Sequence, residues 1–169
     1  LGMIPESVPD VMNKLQILSL EIERMPKTPQ REFSDLFSLP YNSVCTTSTH
    51  DMSPLRNWWK EDREKIQRYY NNVLHYEGQA PGECSSEIAV RIITNHLATN
   101  SMLTIIPLQD WFAIDDTVKR KDIEAERINV PANSNHYWCY RMHIPLERLL
   151  MKDEFNDKVA QLIVASGRK

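Results

Sequence analysis

Glycine is scarce in this sequence, with 4 glycines among 169 residues. Loops that wrap phosphate groups with backbone N–H groups need glycine at fixed positions, and the chain contains neither G-x-x-x-x-G-K-[ST] nor G-x-G-x-x-G. Cysteine is also rare: Cys45, Cys84 and Cys139 lie far apart and form no C-x-x-C pair, which predicts reduced, structural thiols. The five histidines show no H-x-x-x-H or H-E-x-x-H spacing. The sequence therefore predicts no nucleotide site, no metal site and no cofactor.

An excess of positive charge is missing too. Lys and Arg total 20 against 23 Asp and Glu, and because the positive residues are scattered rather than gathered on one face, we expect no nucleic-acid partner. The longest apolar run, residues 102–108, is far shorter than the ~20 residues that cross a bilayer. With 41% hydrophobic and 25% charged residues, the chain can bury a core. We expect one globular domain without a membrane segment, located in the cytoplasm.

Hydrophobic patterning predicts strands and helices in alternation. Residues 43–49 are rich in β-branched and small hydroxyl side chains, which favour a strand. Residues 102–108 form a continuous apolar run, the pattern of a strand buried on both faces of a parallel sheet. Ser53 and Pro54 predict an N-cap and the first position of a helix that continues to about His75. Further elements are predicted as a helix near 8–15, a strand over 17–22, and helices over 88–97 and 152–166. This order indicates an α/β fold with about three parallel strands and flanking helices.

Polar residues beyond the carboxyl ends of the predicted strands are candidates for a site, because parallel α/β folds bind ligands there. Three pairs occupy such positions: His50 and Asp51, Gln109 and Asp110, and Glu23 and Arg24. A His-Asp pair can hold sugar hydroxyls, and its carboxylate can stabilise a developing positive charge. More often such a pair is structural, with the aspartate capping a helix or the histidine bonded in a turn. Asp110 itself, like Asp35 and Asp62, is interpreted as a surface or capping residue.

Aromatic side chains form a second set of candidates. Trp58 and Trp59 could provide a flat platform for the apolar face of a sugar ring. Trp59 lies on the apolar stripe of the predicted helix, which favours a core position for that ring. Trp138, flanked by Tyr137 and Tyr140, fits the core and the sugar platform equally well.

Three motifs in order resemble one enzyme family. They are TSTHDMSPLRNWW (47–59), IIPLQD (105–110) and ERINVPANSNHYWCYR (126–141). Together they resemble the C-terminal part of the 4-α-glucanotransferases, the amylomaltases or disproportionating enzymes of glycoside hydrolase family 77. This resemblance implies the C-terminal part of a (β/α)8 TIM barrel, and a parent enzyme that moves α-1,4-glucan segments by a retaining mechanism. The implied partner is a maltooligosaccharide or a starch-like glucan.

The resemblance also assigns roles to individual residues. It implies that Asp51 is the catalytic carboxylate that stabilises the transition state, and that His50, Gln109, Asn129 and Trp58 bind substrate. The family's nucleophile and acid/base precede the motifs found here, and the chain opens at Leu1 without a methionine. We therefore expect residues 1–169 to be a single C-terminal piece of the barrel, inactive alone and prone to self-association. Met52, Asn57 and the ERMP run (23–26) resemble the plant cytosolic branch more than the common bacterial pattern.

Two other interpretations remain open at this point. The chain could be part of an α-amylase-type hydrolase, since that clan also places a His-Asp pair after a late barrel strand, although the PLQD and NVP runs weigh against it. It could also be a non-catalytic module that binds glucan or a protein partner.

Overall fold

Three parallel strands form the sheet of this protein, which is described by a computed structural model over residues 5–168. The strands are β1 (Ser19–Ile22), β2 (Ser43–Thr46) and β3 (Leu103–Thr104), in the order β1-β2-β3. Their register places Leu20, Val44 and Leu103 in one row across the sheet. The helices are α1 (Val8–Lys14), α2 (Leu55–Glu61), α3 (Arg63–Asn72), α4 (Ser86–Leu97), α5 (Leu108–Phe112), α6 (Leu146–Leu150) and α7 (Asp153–Ala165). The predicted α/β class with three parallel strands is confirmed.

The long helix predicted from residue 53 to 75 is instead two helices. Asp62 adopts an extended conformation between α2 and α3, and its carboxylate accepts the backbone N–H groups of Glu64 and Lys65. Asp62 is therefore a capping residue, as predicted, and starts α3. The prediction that Ser53 caps α2 is wrong, because its hydroxyl donates to Glu61. Asp110 accepts the Leu55 N–H instead, at 2.8 Å.

The third strand is shorter and more exposed than predicted. Only two residues of the run 102–108 are β-strand, and α5 begins at Leu108. In the described chain β3 lies at the edge of the sheet, and the exposure of its side chains shows that the run is not buried on both faces. Leu103 and Ile105 are 45% and 59% exposed, and Leu20 in the same row is 50% exposed. One face of the sheet therefore lacks a covering layer.

The main core lies among the helices. Trp59, Tyr69 and Ile92 are fully buried there, which confirms the core position predicted for Trp59. Helix α7 packs on α4, with Phe155 as its buried contact. Near the end of the chain, Arg168 donates to the carbonyls of Leu97, Thr99 and Ser101, at 2.7, 2.6 and 2.9 Å. These bonds hold the turn that joins α4 to β3.

Within residues 5–168, no helix combines the length and the apolar character that crossing a bilayer requires.

Candidate active site

The segment that follows β2 presents His50 and Asp51 at the carboxyl end of the sheet. Both side chains are about half exposed, and His50 Nε2 lies 3.3 Å from Asp51 Oδ2. The other carboxylate oxygen accepts a hydrogen bond from Asn129 Nδ2 at 2.7 Å. Asn129 belongs to the third sequence motif and is 78 residues away along the chain. The fold therefore brings two of the three motifs together around one carboxylate.

Trp138 adds an aromatic ring to this cluster. Its centroid lies 4.8 Å from that of His50, with the rings tilted by 46°, and the side chain is 60% exposed. From the sequence, a core position and a sugar platform fit Trp138 equally well. The structure places Trp138 beside the His-Asp pair. A carboxylate, an imidazole, an amide and an indole face are thus grouped on one accessible surface. Such a group can accept and donate hydrogen bonds to hydroxyls while packing on an apolar ring face.

Asp110 fastens the segment that carries His50 and Asp51 from the side of β3. Its carboxylate accepts the hydroxyls of Thr47 and Ser48 at 2.6 and 2.8 Å, besides the N–H of Leu55. Asp110 is fully buried, and this burial raises the pKa of its carboxyl, although the bond from Thr47 acts in the opposite direction. The interpretation of Asp110 as a capping residue fits this position. It anchors both ends of the segment 47–55.

Arg24 fastens the same segment from the side of β1. Its guanidinium donates to the carbonyls of Thr47 and Ser53 and lies 5.0 Å from the centre of the Trp58 ring. Burial lowers the pKa of Arg24. Trp58 is 6% exposed, and its ring also packs edge-on against Tyr69 at 4.9 Å. The predicted sugar-stacking role does not fit this position, because the ring covers a buried cation and offers no open face.

Gln109 is also buried, at 3% exposure, and its Nε2 donates to the carbonyl of Glu126 at 3.2 Å. Direct contact with a ligand does not fit this side chain as it lies here. Glu126 is itself buried and pairs with Arg56 at 2.5 Å, and burial raises the pKa of its carboxyl to about 7. Gln109 and Arg56 thus attach the start of the third motif to α5 and α2. That attachment fixes the backbone that leads to Asn129.

The exposed pair of His50 and Asp51 was predicted from the sequence, but the buried hydrogen bonds that hold its segment were not. Thr47 and Ser48 carried no signal beyond strand propensity, and their hydroxyls find an acceptor only through the tertiary fold. Glu23 and Arg24, singled out by their position after a strand, are both buried, and neither belongs to the exposed cluster around Asp51. In residues 5–168 no three His, Cys, Asp or Glu side chains are grouped so as to hold a metal ion.

Comparison with known proteins identifies the family. The profile of the family described as 4-alpha-glucanotransferase, glycoside hydrolase family 77, matches residues 1–147. The chain is 38% identical to 4-alpha-glucanotransferase DPE2 of Oryza sativa subsp. japonica, over 99% of this chain and 18% of the rice protein. It is 26% identical to the 4-alpha-glucanotransferase of Chlamydia pneumoniae, over 96% of this chain and 31% of that protein.

Solved structures agree in fold. The amylomaltase of Streptococcus agalactiae, solved in complex with acarbose, superposes with a TM-score of 0.72 at 18% identity, over 99% of this chain and 31% of that one. The amylomaltase of Corynebacterium glutamicum gives 0.68 at 17% identity, over 96% of this chain and 28% of that one. The three strands and their helices are part of a (β/α)8 barrel, and the chain spans less than a third of each relative's length. It belongs to the 4-alpha-glucanotransferase family, glycoside hydrolase family 77.

Proposed function

We propose that this chain supplies one part of the active site of a 4-α-glucanotransferase, which transfers α-1,4-glucan segments between maltooligosaccharides or starch-like glucans. The observation that carries the proposal is the hydrogen bond from Asn129 to Asp51 at 2.7 Å. It joins two family motifs at the carboxyl end of the sheet, where barrel enzymes bind substrate. The acarbose complex of the Streptococcus agalactiae enzyme supports a carbohydrate ligand.

Asp51 acts by electrostatics in this proposal. Glycosyl transfer passes through an oxocarbenium-like state, and a fixed carboxylate beside it lowers the barrier because it need not reorganise. One oxygen of Asp51 is held by Asn129 and the other lies near His50, so the orientation of the carboxylate is set before substrate arrives. His50 and Trp138 bind the sugar, the first through a hydroxyl and the second through its ring face.

Retention of configuration requires two further carboxyl groups about 5 Å apart, a nucleophile and an acid/base. We place both in a part of the enzyme outside residues 1–169, so that these residues form one C-terminal piece of the barrel. In this arrangement Gln109 and Trp58 position the substrate-binding residues through their buried contacts rather than touching the sugar themselves.

The exposed face of the sheet supports a further part of the proposal. The row formed by Leu20, Val44 and Leu103, with Ile105 beyond it, is apolar and largely open, and a closed barrel would cover it. The chain alone should therefore self-associate through this face or its free strand edges. We place the complete enzyme in the cytoplasm with glucan, not nucleic acid, as its partner.

The test is Asp51→Asn in an enzyme that carries this segment together with the upstream strands. Because the charge acts in the transition state, kcat should fall by about a hundredfold or more while KM changes little. Glucose release and chain-length redistribution from maltooligosaccharides measure the effect.

The matched control is Asp157→Asn, which removes an exposed carboxylate from α7. It should leave transfer unchanged. Transfer at the unsubstituted rate by the Asp51→Asn enzyme would refute the role assigned to Asp51.

A further inference from the structure

A cavity beside the end of β1 shares no lining residue with the cluster around Asp51. Its volume is about 250 Å³. The lining comes from the end of β1, the segment 33–37, and the last turns of α3 and α4. Its polar members include Glu23, Asp35, Asn72, His75 and Asn95, and Phe37 adds an aromatic ring.

Glu23 is the buried member of this lining, at 5% exposure. Its Oε2 accepts the Tyr69 hydroxyl at 2.6 Å and lies 3.9 Å from Nε2 of His96. His96 Nδ1 bonds to the Ile92 carbonyl at 2.8 Å, whereas its Nε2 is buried without a partner in the described residues. The other carboxylate oxygen of Glu23, Oε1, has no hydrogen-bond partner among the described residues, so it can bond to a ligand in the cavity.

The rim is exposed and has unused hydrogen-bonding capacity. Asn72 and His75 are exposed and Asn95 is half-buried, and none of the three side chains bonds to another described residue. Phe37 stands at the same rim with 65% of its surface exposed, although it is a large apolar side chain. Amide donors and acceptors, a carboxyl group and an open aromatic face thus surround one polar hollow.

We propose that this cavity binds one glucose unit of an α-1,4-glucan chain, at a site separate from the one that performs the transfer. The choice of glucan rests on the proposed function. Hydroxyl groups match amides and a carboxyl because each hydroxyl both donates and accepts, and the Phe37 ring can pack on the apolar face of the sugar.

Other ligand classes fit the cavity less well. The carboxylate of Asp35 would repel a phosphate group. A divalent cation prefers several charged oxygens, yet the described residues contain no group of three candidate ligands. Burial also raises the pKa of Glu23 to about 7. A cation site needs ionised carboxylates, and a carboxyl with this pKa gives up its proton less readily than an ordinary glutamate does.

Such a site would act as an anchor. A long glucan held at the cavity is kept near the enzyme, so its free end reaches the transfer site at a raised effective concentration. A short oligosaccharide cannot use both sites and gains nothing. The expected effect is confined to polymeric substrate.

The test uses Phe37→Ala and Asn72→Ala in an enzyme that carries this segment and the upstream strands. Electrophoresis through gels containing soluble starch measures affinity for the polymer, and transfer from maltotriose measures the reaction. Each variant should raise the apparent Kd for starch about fivefold, the usual effect of losing one such contact. Transfer from maltotriose should not change, because neither residue touches the cluster around Asp51.

Tyr41→Ala is the matched control, since Tyr41 is 66% exposed and does not line this cavity. It should bind starch like the unsubstituted enzyme. Starch affinity that is unchanged in both rim variants, or reduced equally by Tyr41→Ala, would overturn the assignment. Failure of the unsubstituted enzyme to transfer from maltotriose would refute the proposed function instead, and the starch gels would still report on the cavity.

Discussion

Replacing Asp110 by alanine tests whether the buried carboxylate supports the segment that carries His50 and Asp51. Asp110 is fully buried and receives three hydrogen bonds, from Thr47, Ser48 and Leu55. Alanine would leave two buried hydroxyls and the first N–H of α2 without their acceptor.

The magnitude follows from the separate contributions. Loss of a helix N-cap costs about 1 kcal/mol, and each of the two buried hydroxyls left without a partner costs about 1–3 kcal/mol, which together give about 3–7 kcal/mol. The raised pKa of Asp110 shows that burying this charge is itself unfavourable, and its removal offsets part of the loss. We therefore expect the lower end, a decrease of about 3 kcal/mol in the free energy of unfolding.

Urea unfolding followed by tryptophan fluorescence measures this loss, since Trp58 and Trp59 are buried. Asp62→Ala is the comparison, because Asp62 also caps a helix but its bonds are exposed, and it should cost about 1 kcal/mol. Asp110→Asn keeps an acceptor for Leu55 and should fall between the two. Equal losses in the free energy of unfolding for Asp110→Ala and Asp62→Ala would refute the reasoning that the bonds of Asp110 contribute more because they are buried.

Three further predictions concern pH, association and activity. Because burial raises the pKa of Glu23 to about 7 from 4.5, the folded chain binds that proton more tightly than the unfolded chain does, and the free energy of unfolding falls as pH rises between those values. Glu23→Gln should remove about 3 kcal/mol of this decrease, measured by urea unfolding at pH 5 and pH 8. Burial lowers the pKa of His96 to about 4, so His96 contributes a rise in stability with pH, and it does so equally in both proteins. If the free energy of unfolding changed between pH 5 and pH 8 by the same amount in both proteins, the role assigned to Glu23 would be contradicted. Size-exclusion chromatography with light scattering should show the 169-residue chain larger than a monomer at tens of micromolar, and a monomer that binds no hydrophobic dye would show that the apolar row is covered. The same chain should leave maltoheptaose unchanged, and any redistribution of its length would mean that a carboxyl within these residues fills a role we place elsewhere.

The sequence was informative where local chemistry decides the outcome. The existence and order of the three strands, the exposed His-Asp pair, the capping aspartates and the apolar face of α7 follow from patterns within a few residues, whereas the ends of β2 and β3 were predicted too late in the chain. The break between α2 and α3 did not, because the apolar stripe continues across Asp62 at helical spacing. The contact between Trp58 and Arg24 could not be predicted either, because Trp58 and Trp59 are adjacent residues of the same type and Arg24 lies far away in the sequence. The bond between Asn129 and Asp51 spans 78 residues and had no local signal beyond the family resemblance.

The bonds made by Arg168 set an order of assembly. Residue 168 holds the turn before β3 through carbonyls that lie 67 to 71 residues earlier in the chain. During synthesis the ribosome therefore releases β3 long before the residue that secures its turn, and until then β3 is held by its two-residue pairing with β2 and by the hydrogen bond between the Ser43 and Ser101 hydroxyls. Contacts this distant form late and slow folding, since the intervening loop must first be closed. The site around Asp51, which depends on Asp110 just after β3, should thus be completed only once the last helix has docked.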